Sequence, residues 1–143
     1  MVKKILTVLV LVAFSLSCFS GVLYADGKKG KCYGLEGKFY RQAHKILEHN
    51  KELGLTAKQV KEVKALKVKV KKDLIKQDAD IKTLKVEINT LMWEAPMSLD
   101  ETNMLVDKKY ELKKKKAKYI VSAYDKLNKI LTKEQLDKLS TTF

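Results

Sequence analysis

The sequence predicts an all-α fold: a short N-terminal helix, a long antiparallel helical hairpin and a short C-terminal helix. Three observations lead there. The chain has 143 residues, 33% of them charged, with one Pro and six Gly; such a balance suits long solvent-washed helices and leaves few breakers to divide them. Two long stretches carry apolar residues at alternating steps of three and four, the spacing of a helical seam. The skeleton Leu-Thr-x-x-Gln occurs twice, as "LTAKQ" at 55–59 and "LTKEQ" at 131–135, and each copy has the chemistry of a helix start.

The chain opens with Lys3 and Lys4, an almost unbroken apolar run from Ile5 to Phe14, and Leu23-Tyr24-Ala25 before polar Asp26. A positive n-region, an apolar core and a small residue at the cleavage position predict a secretory signal peptide over 1–25. An uncleaved anchor and a lipoprotein modified at Cys18 are the alternatives, the second a poor fit because Ser15 stands where Leu is usual. Residues 26–34, "DGKKGKCYG", predict a flexible basic arm, and 35–143 an all-helical domain. Cleavage after Ala25 leaves Cys32 as the only cysteine, either an intermolecular disulfide partner, a free thiol or a residue without a task.

In the first helix, Phe39, Ala43, Ile46 and Leu47 recur at helical spacing between Leu35 and Lys51, and Gly54 ends it. Thr56 follows as an N-cap whose hydroxyl can accept an unpaired backbone N–H. Gln59 reaches back to the cap's own N–H, completing a capping box, and Leu55 and Val60 have the spacing of a hydrophobic staple. Thr132, Gln135, Leu131 and Leu136 repeat the device, and Ser98-Leu99-Asp100-Glu101 offers a third box after Pro96. Nothing in the motif requires catalysis.

Between the two copies, Val63, Lys67, Val70, Leu74, Gln77, Ile81, Leu84, Ile88 and Leu91 form one stripe, on a helix expected from Ala57 to about Trp93. The second stripe reads Val106, Tyr110, Lys113, Ala117, Ile120, Tyr124, Leu127, Leu131. A turn at "WEAPMS" folds the helices back on each other. Centred near 95–96, it sets Asp73 opposite Lys118 and Asp78 opposite Lys113. Such a thin hairpin leaves apolar surface that a second copy would cover, so a homodimer is expected.

The formal net charge is +13, which falls to +11 when Lys3 and Lys4 leave with the signal. A chain this basic attracts acidic partners, and export argues against nucleic acid. The run "KKYELKKKKAKY" at 108–119 is the densest cationic cluster. Four successive lysines sweep most of the helical wheel, so the helix is open to water or lysine stems lie along apolar surface. Lys109, Tyr110, Lys113, Lys116, Tyr119 and Tyr124 are the candidates for binding acidic, partly unfolded chains; a plain solvated face is the competing reading. A soft-metal site would have to draw on Cys32, His44 and Glu48, which lack convincing ligand spacing. No phosphate loop, nucleophile motif or metalloprotease helix is present; neither an enzyme, a cofactor nor a small-molecule substrate is expected.

An exported, basic, helical chain with Leu-Thr-x-x-Gln before its second and last helices resembles the Spy/CpxP family of periplasmic proteins over about residues 36–140, and the related periplasmic heavy-metal-resistance and sensor proteins. The resemblance implies a cradle-shaped antiparallel dimer. It implies ATP-independent chaperone activity on unfolding envelope proteins, or damping of an envelope-stress sensor. For the metal-binding relatives it implies zinc, copper or nickel, though that group tends to be rich in His and this chain has two.

Overall fold

A computed structural model of the protein describes residues 34–142. The expected signal peptide, residues 26–33 of the basic arm, and Cys32 lie outside the described residues. Within them the chain is helical without strands: α1 (Leu35–Glu48), α2 (Ala57–Trp93), α3 (Leu99–Lys129) and α4 (Lys133–Thr142). No helix among the described residues is long and apolar enough to cross a membrane.

Helix α1 ends at Glu48, earlier than the apolar spacing alone suggests. The Asn50 amide donates to the Leu47 carbonyl at 2.6 Å and takes up a backbone acceptor of the last turn. Turns then carry the chain through 49–54 to Gly54, whose φ of 64° lies in the left-handed region that favours glycine. Leu53 is buried within these turns and joins the core.

Helices α2 and α3 form the antiparallel hairpin. All nine positions of the α2 stripe are buried or half-buried, with Lys67 and Gln77 among the half-buried ones. The α3 stripe differs from expectation in its N-terminal half. Tyr110 and Lys113 are exposed, while Lys109, Leu112 and Lys116 are half-buried. The three-four walk from Ile120 runs back through Lys116 and Leu112, because the apolar Leu112 is the residue better placed inside. The hairpin register is displaced in the same region. Asp73 faces Tyr119 and not Lys118, and Asp78 faces Lys116 and not Lys113, one to three residues from a turn centred at 95–96.

The third capping box does not form. Ser98 is the N-cap of α3 but makes no side-chain cap bond. Its ψ of 99° compares with 155° at Thr56, so the first helical N–H groups lie at a different angle to the cap residue. Thr102 instead donates its hydroxyl to the Ser98 carbonyl at 2.7 Å.

The core is concentrated at the end of the hairpin where α1 and α4 pack. Phe39, Ala43 and Ile46 of α1 are fully buried against Val63, Val70 and Leu74 of α2 and Ile120, Ala123 and Leu127 of α3. Leu131 and Leu139 complete this cluster. Toward the tip only Leu84, Ile88 and Thr102 are buried.

Candidate binding surface and the motifs that frame it

The two Leu-Thr-x-x-Gln copies meet in space. In each, the Gln side-chain carbonyl accepts the backbone N–H of its own Thr, at 2.9 Å for Thr56 and 2.9 Å for Thr132. Each Thr hydroxyl accepts the backbone N–H of the Gln, at 3.2 Å and 3.3 Å. These are the two expected capping boxes. The Gln amide nitrogens then do something further. Gln59 Nε2 donates to the Ile130 carbonyl at 2.9 Å, the residue just before the second copy. Gln135 Nε2 donates to the Gly54 carbonyl at 3.2 Å, the residue just before the first. Gln59 Nε2 also meets Gln135 Oε1 at 2.9 Å. The two copies thus clasp each other reciprocally and tie the starts of α2 and α4 together.

Of the six lysines and tyrosines expected to bind acidic chains, three hold helices together. Lys116 donates to Asp78 at 2.6 Å and lies 3.3 Å from Glu36, so it links α3 to α2 and α1. Burial works against its charge, but these two carboxylates outweigh burial and raise its pKa. The Tyr119 hydroxyl donates to Asp73. Burial, and then the bond and charge of Asp73, push its pKa up to about 12. Asp73 is held below the usual carboxylate range, first by Tyr119 and then by Lys69. The Tyr124 hydroxyl donates to the Gln42 carbonyl oxygen, and Gln42 donates in turn to Asn128 at 3.1 Å.

Tyr110 and Lys113 remain on the outside, with half-buried Lys109 beside them. The ammonium groups of Lys109 and Lys113 lie 5.1 Å and 5.0 Å from the centroid of the Tyr110 ring, within reach of a cation–π attraction. Tyr110 is 58% exposed, so a ring with cations on it faces solvent. Farther along α3, exposed Val121 borders a shallow cleft of about 350 Å³ shared with Leu35, Lys38, Ile120 and Tyr124. An arrangement of apolar and aromatic patches ringed by lysines can take extended acidic segments without reading a fixed sequence.

The sequence reading missed the outer face of α2. There Ala65, Val68, Lys72, Ile75, Ala79, Lys82, Val86, Asn89 and Trp93 follow the same three-four spacing, and every one is exposed. A second periodicity, nearly opposite the first on the helical wheel, was the signal available to find it. Val68 and Ile75 line an open groove of about 890 Å³ together with Lys61, Lys64, Lys76 and the Lys69–Asp73 ion pair.

The metal candidates do not assemble among the described residues. His44 and Glu48 approach at 3.7 Å on an exposed face, and no group of three or more His, Cys, Asp or Glu side chains is placed to hold an ion. Cys32 is outside the described residues, so its relation to His44 is not part of this site. Comparison with protein-family models, curated proteins and solved structures finds no match for the chain.

Proposed function

We propose that the protein is an exported, ATP-independent chaperone that holds unfolded or misfolded envelope proteins. The observation that carries this reading is the face of α3 where Tyr110 stands exposed between Lys109 and Lys113, with exposed Val121 three turns farther along the helix. An unfolded client presents apolar residues and backbone without a defined shape, so an open surface of interleaved ring, aliphatic and ammonium groups suits it better than a closed pocket. The basic charge steers acidic clients toward that surface. The periplasmic location rests on the leader pattern of residues 1–25, and the resemblance to Spy/CpxP proteins agrees with both. A link to an envelope-stress sensor would use the same surface.

Purified exported protein is expected to suppress light scattering from a denatured client without nucleotide. Tyr110→Ser combined with Lys113→Glu should weaken that suppression while leaving the far-ultraviolet circular dichroism unchanged. Added salt should slow capture of acidic clients more than of neutral ones. Absence of suppression at a molar excess of chaperone over client would refute the reading.

A further inference from the structure

A cleft between α1 and α2 combines cations, an aliphatic floor and a hydroxyl without a partner. It measures about 700 Å³ and is lined by Tyr40 and Leu47 of α1 and by Lys64, Lys67, Val68 and Lys71 of α2. Tyr40 and Leu47 stand two helical turns apart, as do Lys64 and Lys71, so the cleft runs roughly 10 Å along both helices. At one end the Lys71 ammonium lies 5.9 Å from the centroid of the Tyr40 ring, which Phe39 meets edge-on at 5.2 Å. The Tyr40 hydroxyl oxygen is buried and has no hydrogen-bond partner among the described residues. A polar group so placed carries a desolvation cost that an arriving partner can offset. No carboxylate lines the cleft, and none of its three lysines pairs with an acid of the described residues. The groove on the outer face of α2 differs in this respect, because Asp73 already answers Lys69 there.

We propose that this cleft binds a long-chain fatty acid, with the carboxylate held at the Tyr40–Lys71 end and the chain laid along Val68 and Leu47. Charge and polarity select this occupant. To an anion the lining offers ammonium and hydroxyl donors, and to a tail it offers aliphatic side chains and lysine stems. A peptide laid in the cleft would bring an N–H at every residue, and lysine ammonium groups accept none of them; a hydrocarbon chain brings no donor to satisfy. The head must also be small. A carboxylate has two oxygens, one for an ammonium and one for the Tyr40 hydroxyl once that side chain turns toward the cleft it lines. A glycerophosphate head is too bulky to reach a hydroxyl that water hardly touches. An intact bilayer presents a plane, whereas these donors sit between two helices. The cleft is separate from the α3 face around Tyr110, so this site stands independently of the chaperone reading.

Calorimetry of the exported protein with octanoate, decanoate and dodecanoate, each below its micelle concentration, is expected to show one site per chain. Affinity should tighten about two- to fourfold per methylene. Decanol should bind about tenfold more weakly than decanoate, and inorganic phosphate should not compete. Lys71→Gln and Val68→Glu, both at exposed positions, should each weaken decanoate about tenfold with helix content kept, whereas Lys85→Gln should not. Tyr40→Phe should weaken decanoate about fivefold or more and leave decanol unchanged, a split that a merely structural role for the ring would not produce. Affinity independent of chain length, or competition by phosphate, would reduce the site to a general anion patch and overturn the proposal. So would decanol binding as tightly as decanoate. Tighter binding of a lysophosphatidylglycerol with the same chain would give the cleft to lipid headgroups, and displacement of decanoate by an equal concentration of an acidic, leucine-containing peptide would give it to client segments; either result overturns the fatty-acid assignment. Unchanged decanoate affinity in Tyr40→Phe would overturn the orientation assigned to the head.

Discussion

Gln59 and Gln135 each carry two tasks on one side chain, and the two can be separated by substitution. The carbonyl oxygen caps the residue's own helix, while the amide nitrogen bonds the residue before the other motif. Gln59→Glu keeps an acceptor for the Thr56 N–H and adds negative charge at a helix N-terminus, which alone would be neutral or slightly stabilising. It replaces the donor, however, and sets a carboxylate against the Ile130 carbonyl. The expected result is a loss of about 1–3 kcal/mol in denaturant unfolding; an unchanged midpoint would mean that capping is the motif's only contribution. Because the clasp is reciprocal, Gln59→Ala and Gln135→Ala should be non-additive, with a coupling of about 0.5–3 kcal/mol in a double-mutant cycle. The caps were legible in the sequence because a capping box is local, spanning four residues. The clasp was not, since its partners are 71 to 81 positions apart and nothing in a local pattern specifies which distant carbonyl an amide will meet.

Tyr119 offers a second test at the same scale. Its folded-state pKa, about 12, stands above the ordinary value of 10.0. A raised pKa contributes stability that is complete below pH 10 and lost as pH rises toward 12. Asp73, with a lowered pKa, contributes in the opposite sense: its share is lost as pH falls through and below its ordinary 3.8. Tyr119→Phe should therefore flatten the alkaline limb of a stability-against-pH profile and leave Asp73 with less protection on the acid side. Lys116 and Tyr40 are also raised, so the alkaline limb should shrink and not vanish. An alkaline limb identical to wild type would show that burial and Asp73 do not hold Tyr119 protonated in solution.

At the scale of single helices, the lysine-rich segment of α3 shows what periodicity can and cannot decide. The stripes of α2 and of the C-terminal half of α3 were readable because apolar residues mark every turn. In "YELKKKK" (110–116) there is one aliphatic side chain and a choice of lysines, so the walk could pass through Tyr110 and Lys113 or through Leu112 and Lys116. Residues from other helices make the choice: Asp78 of α2 and Glu36 of α1 converge on Lys116, and its stem can lie along apolar surface while its head is paired. Leu112→Ala is thus expected to cost about 1–2 kcal/mol, a half-buried version of a core truncation, and Lys113→Ala to stay within about 0.5 kcal/mol of wild type. Thermal or denaturant unfolding of the two variants checks this directly, and equal costs would restore the alternative stripe.

Across the whole helical domain, burial is uneven, and local stability should follow it. The fully buried side chains Phe39, Ile46, Leu74, Leu127, Val63 and Val70 all lie in the half of the hairpin covered by α1, where three helices share one core. Beyond Ile88 the hairpin is two helices with exposed Met92, Trp93, Leu99 and Met104, and two helices in water bury little of each other. Local opening free energy follows buried apolar contact. Native-state hydrogen exchange should therefore be slowest in residues 60–77 and 117–131 and fastest in 85–108. Uniform exchange along the hairpin would show that the distal helices are stabilised by contacts other than those of the buried core.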